Sequence, residues 1–283
     1  MHAAADPATY ASRRAALSAA LARHPGVVVA FSAGVDSTVL LHAAQDALGE
    51  RVVAVTADSP SLPRAELAEA EALAARLGVR HVVLPTDELA RAGYRDNAGD
   101  RCYHCKKELF VTVAAQRAAI APADWPVVYG VIVDDLSDHR PGQQAAAEHG
   151  VLGPLVDAGF TKADVRRYAH EAGLPNADKP SFACLSSRVP FGTAIDRATL
   201  QRIERAEGVL RHHGFRQFRV RHHGDVARLE VGSDELERAF ALRADLGRGV
   251  LACGYRFVAL DVFGYRTGAF HGMLADPAPG NDS

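Results

Sequence analysis

The sequence predicts an α/β protein, a doubly wound parallel sheet followed by a smaller C-terminal α+β domain. Three observations carry that expectation. The apolar run Val27-Val28-Val29-Ala30-Phe31 stops at a small polar loop, Ser32-Ala33-Gly34-Val35-Asp36-Ser37. Beyond it Leu40, Ala43, Ala44, Ala47 and Leu48 fall at helical spacing, giving the order buried strand, tight loop, helix. Further β-branched runs alternate with amphipathic stretches up to Lys179, as in a parallel sheet with right-handed crossovers. After Lys179 the pattern changes to short alternating strands between helices, which puts a domain boundary near residue 190.

In order, Pro7 to Arg23 is an alanine-rich helix with Leu17 and Leu21 on one face. Val27 to Phe31 and Arg51 to Ala57 are the first two strands, and Asp58-Ser59-Pro60-Ser61-Leu62-Pro63 is a loop at the carboxyl end of the second, where doubly wound sheets bind ligands. A helix over Arg64 to Leu77 leads through Gly78 to a third strand, Val79 to Leu84. Pro126 to Val133 reads as another strand, ending in the acidic loop Asp134-Asp135-Leu136-Ser137-Asp138. Thr161 caps a helix to Ala172, with Asp164 in the capping-box position, and Gly173-Leu174-Pro175 ends it. Ser186 to Thr193 is a linker. A helix (Asp196 to His212), strands at Gln217 to His222 and Val226 to Val231, a helix over Ser233 to Ala241 and a strand over Tyr255 to Val262 complete the smaller domain. The expected domains are 1–190 and 191–274, with a frayed Pro/Gly/Asp-rich tail over 275–283.

The chain of 283 residues has material for two domains. Its 32 Lys and Arg nearly balance 34 Asp and Glu, so nothing in the overall charge recruits nucleic acid or a membrane surface. No signal-peptide core or membrane-length apolar run is visible, which makes a cytoplasmic location the expectation. Four cysteines in that compartment are metal ligands or reactive thiols rather than disulfides. Cys102 and Cys105 lie three apart at a helix start, where the dipole and nearby cations favour thiolate. Zinc with His104 as a ligand, an iron-sulfur cluster and a redox dithiol all use such a pair, although the fold context of a thioredoxin-like site is missing. Cys184 sits in a polar loop flanked by Lys179 and Arg188, and Cys253 in an apolar segment reads as a core residue.

The first loop carries the chemistry. Backbone amides and the positive end of the following helix converge on an anion there, and Ser32 and Ser37 add hydroxyl donors. The loop lacks the lysine of a Walker A sequence and the spacing of GxGxxG, which disfavours P-loop NTPases and dinucleotide dehydrogenases. Ser-x-Gly-x-Asp-Ser resembles instead the PP-loop of the ATP pyrophosphatases, the adenine nucleotide alpha hydrolase-like fold, which cleave ATP between the α and β phosphates. That resemblance implies ATP and Mg as ligands, with Ser32, Ala33, Gly34, Val35, Asp36, Ser37 and Ser59 around the nucleotide. Ala33 stands where the pattern usually has Gly, a change that is cheap at negative φ and strained at positive φ.

Further segments sharpen the match. Asp138-His139-Arg140-Pro141-Gly142, Cys184 to Thr193, Phe218-Arg219-Val220-Arg221-His222 and Leu260 to Gly268 together resemble the LarE sulfurtransferases over nearly the whole chain. The resemblance implies adenylation of a carboxylate of pyridinium-3,5-biscarboxylic acid mononucleotide and its conversion to a thiocarboxylate, for the nickel-pincer cofactor of lactate racemase. It makes Asp36 and Cys184 catalytic, Cys184 being the sulfur-handling cysteine. Adenylation gives a poor electrophile a leaving group for a thiolate to displace. If the sulfur of Cys184 stays on the product, its Cβ–S bond must break to leave dehydroalanine. With Cys102 and Cys105 also present, the chain resembles the three-cysteine branch, in which three thiolates hold a 4Fe-4S cluster that can carry hydrosulfide on its open iron. Arg219 and Arg221 share a strand face by period two and, with Arg188, are the expected contacts of the substrate phosphate. Glu207 (a Mg ligand) and Asp225 are the further metal or proton-handling candidates. The implied partners are a small mononucleotide, a sulfide source and further copies of the chain, with neither nucleic acid nor membrane. Two rivals remain: an RNA-thiolating or ammonia-using PP-loop enzyme, and a non-catalytic nucleotide or iron-sulfur sensor.

Overall fold

The computed structural model describes residues 7–136, 141–180 and 183–266. The chain divides into two compact units, one of Met1–Glu88 with Cys102–Phe182 and one of Leu89–Arg101 with Ala183–Ser283. The first unit runs α1 (Pro7–Ala22), β1 (Val27–Ala30), α2 (Val35–Leu48), β2 (Val52–Asp58), α3 (Arg64–Arg76) and β3 (Arg80–Pro85). The chain then crosses to the second unit for the short helix α4 (Ala92–Arg95). It returns through α5 (Arg101–Ala115), α6 (Arg117–Ile120), β4 (Val127–Tyr129), α7 (Pro141–Glu148), α8 (Pro154–Asp157) and α9 (Lys162–Glu171).

The four strands form one parallel sheet in the order β3-β2-β1-β4. Alternation along β1 explains the two covered faces: Val27 and Val29 enter one core with Leu17, Leu40 and Phe160, while Val28 enters another with Val53, Val113 and Ile120. All three valines are fully buried, each stabilising the sheet by roughly 1.5–3 kcal/mol, so the strand just before the polar loop is a rigid anchor. Thr161 caps α9 as its sequence requires, accepting from Asp164 N–H (3.3 Å) while its own N–H donates to the Asp164 carboxylate at 2.9 Å. The strand expected over 126–133 pairs only over Val127–Tyr129. The chain turns after Tyr129, with Val131 N–H returning to Tyr129 O at 3.0 Å. Val131 and Ile132 are buried by packing and not by pairing, which is what made the run look longer.

In the second unit α10 (Arg197–His212) is capped by the Asp196 carboxylate, which accepts from Thr199 N–H at 2.6 Å. Strands β5 (Phe218–His223) and β6 (Val226–Val231) form an antiparallel hairpin. The helix expected over Ser233 to Ala241 is a 3-10 turn followed by α11 (Leu236–Ala241), and a helix the sequence reading missed, α12 (Arg243–Ala252), comes next. These helices form the crossover that lets β7 (Phe257–Leu260) pair parallel to β6, so the sheet order is β5-β6-β7. Its core joins Leu210, Phe215, Val220, Leu229, Leu246 and Val250.

Candidate functional site

The polar loop between β1 and α2 is built around one unusual residue. Ala33 has φ +56°, the strained alternative, with its methyl group fully buried. The turn it makes brings Ser32 back over the helix start: Ser32 N–H donates to Ser37 Oγ (3.3 Å), and the two hydroxyls lie 3.2 Å apart. Ser37 spends its own proton on Gly34 O at 3.0 Å, so Ser32 is the donor between the two hydroxyls. Gly34 offers no side-chain cap, and the first bond of α2 runs from Thr38 N–H to Gly34 O. The amides of Val35, Asp36 and Ser37 therefore form the open positive end of a 14-residue helix. Gly130, at the end of β4, presses on that turn: a Cβ there would lie 2.8 Å from Ser37 N. Asn176 braces it from the other side, donating to Ala33 O (3.0 Å) and Thr38 Oγ1 (2.9 Å).

Asp36, in the first turn of α2, is held by Lys162 through both oxygens at 2.8 Å. Ser59 sits at the carboxyl end of β2, where its hydroxyl is 3.1 Å from Ser61 Oγ, and Ser61 donates at 2.6 Å to the fully buried Glu88. Strands β1, β2 and β4 are parallel, so the loop, Ser59 and Gly130 all stand at the carboxyl edge of one sheet. Among the described residues the loop thus offers donors and an open helix end, which suit the phosphates of a nucleotide. Lys162, Asn176, Ser61 and Glu88 are parts of this arrangement that the sequence reading did not single out. No local pattern marks Lys162 and Asn176, which reach the start of α2 and its loop from distant stretches of chain, or Glu88, which meets Ser61 from 27 positions on.

None of the four cysteines forms a disulfide among the described residues. Cys102, exposed, and Cys105, half-buried, lie one turn apart at the start of α5. Cys184, half-buried in the second unit, occupies the position before the 3-10 turn Leu185–Arg188. Among the described residues no group of three or more His, Cys, Asp or Glu side chains is gathered as a metal site. In kind the three thiols suit a thiolate-ligated cluster, two of them supplied by one helical turn. Cys253 is buried and bonds Gly249 O through Sγ at 3.3 Å, and burial pushes its thiol pKa up, as suits a core residue.

The arginines of the second unit form a scaffold around the Cys184 loop. Arg188 is fully buried, its Nε and Nη2 paired with both oxygens of Glu207 (2.8 and 3.0 Å) and its Nη1 on the carbonyls of Ala183 and Cys184. Glu207 Oε1 also accepts from Val220 N–H at 3.1 Å, so that carboxylate is engaged with protein on both oxygens. Arg221 pairs with buried Glu230 (2.9 Å) and donates to Ser187 O (2.9 Å). Arg219 shares the strand face of Arg221, opposite the core residue Val220. It donates to Phe218 O and packs over the Tyr265 ring, and burial pushes its pKa down. Arg101 donates to Ser186 O at 3.1 Å, and Tyr94 OH lies 2.6 Å from Ser186 Oγ. Asp225 lies apart in the β5–β6 turn, half exposed and facing Arg256 at 3.3 Å. Of the turn Asp138 to Gly142, the first three residues lie outside the described residues, as do Thr267, Gly268 and the 275–283 tail.

The model of the family described as "Queuosine biosynthesis protein QueC" matches residues 26–107, the stretch that contains the polar loop and Ser59. A pyridinium-3,5-bisthiocarboxylic acid mononucleotide synthase from Lactiplantibacillus plantarum is 36% identical over 271 residues, 94% of this chain and 96% of that one. The uncharacterized protein slr1717 of a Synechocystis species is 42% identical over 250 residues, 87% of this chain and 92% of its own. A 7-cyano-7-deazaguanine synthase of Novosphingobium aromaticivorans is 52% identical over 64 residues, 22% of this chain and 27% of its own. No helix among the described residues is long and apolar enough to cross a membrane.

Proposed function

Since the chain belongs to the LarE family, that of the pyridinium-3,5-bisthiocarboxylic acid mononucleotide synthase, with its PP-loop domain, we propose that it turns a carboxylate of pyridinium-3,5-biscarboxylic acid mononucleotide into a thiocarboxylate at the expense of ATP. The observation that carries this reading is the open first turn of α2 behind the Ser32–Ser37 loop, within a chain that matches the synthase over 94% of its length. The amides of Val35, Asp36 and Ser37 bind the pyrophosphate end of ATP, and the Ser32 hydroxyl turns from Ser37 Oγ to join them. Ser59 borders the nucleotide at the carboxyl end of β2. The substrate carboxylate attacks the α-phosphorus, pyrophosphate leaves, and the acyl-adenylate that results has AMP as its leaving group. Asp36 is the residue that would hold Mg, which would neutralise phosphate charge; Lys162, now on both Asp36 oxygens, must then turn its ammonium to the phosphates.

Arg219 and Arg221 are assigned to the phosphate of the mononucleotide. Arg188 and Glu207 hold the backbone of Cys184 in place, a role supported by their full burial and by the two carbonyl bonds of Arg188. Cys102, Cys105 and Cys184 are the residues that would hold a 4Fe-4S cluster, which would supply a transferable sulfur while the cysteines stay intact. The reading includes a cytoplasmic location, a sulfide source and an oligomer of this chain.

One experiment tests it. Protein reconstituted anaerobically with iron and sulfide is incubated with ATP, Mg and the dicarboxylate nucleotide, and nucleotides, thiocarboxylate and intact protein are followed by mass spectrometry. AMP and pyrophosphate should appear in step with thiocarboxylate, and Asp36→Ala should suppress all three. Release of ADP and phosphate would sink the assignment. Conversion of Cys184 to dehydroalanine in step with product would leave the reaction standing but make Cys184 the sulfur donor.

A further inference from the structure

Three buried guanidiniums grip the carbonyls of the Cys184 loop, and two of them have a carboxylate of their own. Arg188 pairs with Glu207 and Arg221 with Glu230. Arg101 has none among the described residues: its Nη1 binds the side-chain oxygen of Asn97 and Ser186 O, and the Phe191 ring lies 5.8 Å from its Cζ. Arg101 is 7% exposed, and its Nε is buried without a hydrogen-bond partner. Its Nη2 likewise makes no bond among the described residues. An arginine keeps its charge in any protein environment, and a buried cation without a counter-ion is costly. The arrangement is that of a position whose counter-ion arrives with a ligand.

We infer that Arg101 receives a carboxylate of the substrate on its free Nε–Nη2 edge, an inference that rests on the substrate reading given above. That edge presents two parallel N–H groups and one positive charge. A planar carboxylate matches it in geometry and in charge, whereas a phosphate dianion fits the same fork but brings two negative charges to one positive charge. The bonds from Nη1 to Asn97 and Ser186 fix the plane of the guanidinium, and Asn97 is fixed in turn by donating to Pro190 O (2.7 Å) and Thr193 O (3.0 Å). The fork is therefore preorganised, and binding a carboxylate there requires little ordering of the side chain. Arg101 reads the acid group of the substrate, a task separate from that of the arginines assigned to its phosphate.

The test is calorimetric titration, without ATP, of three probes: the dicarboxylate nucleotide, nicotinamide mononucleotide, which keeps pyridinium and phosphate but has no carboxylate, and ribose 5-phosphate. The wild type should prefer the dicarboxylate to nicotinamide mononucleotide by about tenfold or more, the usual worth of a charge-assisted pair. Arg101→Lys, which keeps the charge and loses the fork, should bring that preference to within about threefold and leave ribose 5-phosphate binding unchanged. Equal binding of the two nucleotides by the wild type would overturn the role of Arg101 and leave the substrate reading intact. Failure of the wild type to bind any pyridinium nucleotide would overturn both. A parallel loss of ribose 5-phosphate affinity in Arg101→Lys would make the residue a phosphate contact or a structural one. Should the variant not fold, the wild type crystallised with the dicarboxylate nucleotide decides: a carboxylate about 3 Å from Nε supports the inference, and any other group there refutes it.

Discussion

Ala33 shows two opposing effects of similar size at one residue. A left-handed φ costs an alanine roughly 1–2 kcal/mol. Its fully buried methyl returns about 0.8 kcal/mol, and its narrower unfolded ensemble roughly 0.5–1 kcal/mol. Ala33→Gly should therefore leave stability within about 1 kcal/mol of wild type, whereas Ala33→Val, β-branched at φ +56°, should be severely destabilising and damage the loop. Denaturant titration of both variants checks this, and a large gain for the glycine variant would contradict it. Burial also lowers the pKa of His81 and of His222, the latter 3.2 Å from Tyr255 OH. Each is depressed below its ordinary 6.5, so the unfolded chain binds more protons in the window beneath that value. Their contribution to stability is complete above about pH 6.5 and is lost as pH falls from there through the lowered folded values. Melting temperature should drop between pH 7 and pH 5.5, and less steeply in His222→Gln; a flat profile would refute the assignment. At this scale the sequence named Ser32, Asp36, Ser37 and Cys184, because their types and spacing are local. It could not name Lys162 or Asn176, whose partners lie more than a hundred positions away.

Among the elements, α10 and β5 are joined through one carboxylate. Glu207, on the buried face of α10, takes the Val220 amide of β5 and the guanidinium of Arg188, which holds the turn carrying Cys184. Breaking a buried pair of this kind leaves an uncompensated charge and typically costs about 3–5 kcal/mol. Glu207→Ala should lose that much stability, equally with and without Mg, while Glu207→Gln, which keeps an acceptor for Val220, should lose less. If Mg raised the melting temperature of wild type but not of Glu207→Ala, the carboxylate would be a metal ligand after all. The helices with a strong cap and one apolar face, α9 and α10, were legible within a residue or two. The end of β4 was not, since Val131 and Ile132 are apolar for packing and pair with no strand. Nor was α12, which only Leu242 separates from α11 and whose glycines, Gly247 and Gly249, mask its periodicity.

Over the whole molecule the parallel sheet was legible and the path of the chain was not. Composition changes near residue 190, yet the second unit also takes in Leu89–Arg101. Asn97 donates there to the carbonyls of Val189, Pro190 and Thr193, Gly192 N–H returns to Asn97 O, and Ile195 N–H to Arg95 O. A fragment of residues 191–266 should therefore stay unfolded or molten by circular dichroism and proton NMR. A fragment of 183–266 with 89–101 joined through a flexible linker should recover cooperative unfolding. Cooperative folding of the shorter piece alone would show that the inserted segment decorates the unit and does not complete it.

That inserted segment also sets a timetable for synthesis. A chain emerging from the ribosome N-terminus first releases Tyr94, Asn97 and Arg101 some ninety positions before the Ser186 and Val189 to Thr193 stretch that binds them. At roughly 5–20 residues per second, these polar side chains wait several seconds for their partners. The Cys184 loop is thus the stitch that fastens the inserted segment, so a truncated chain halted before it carries the parallel sheet with that segment left as a loose end.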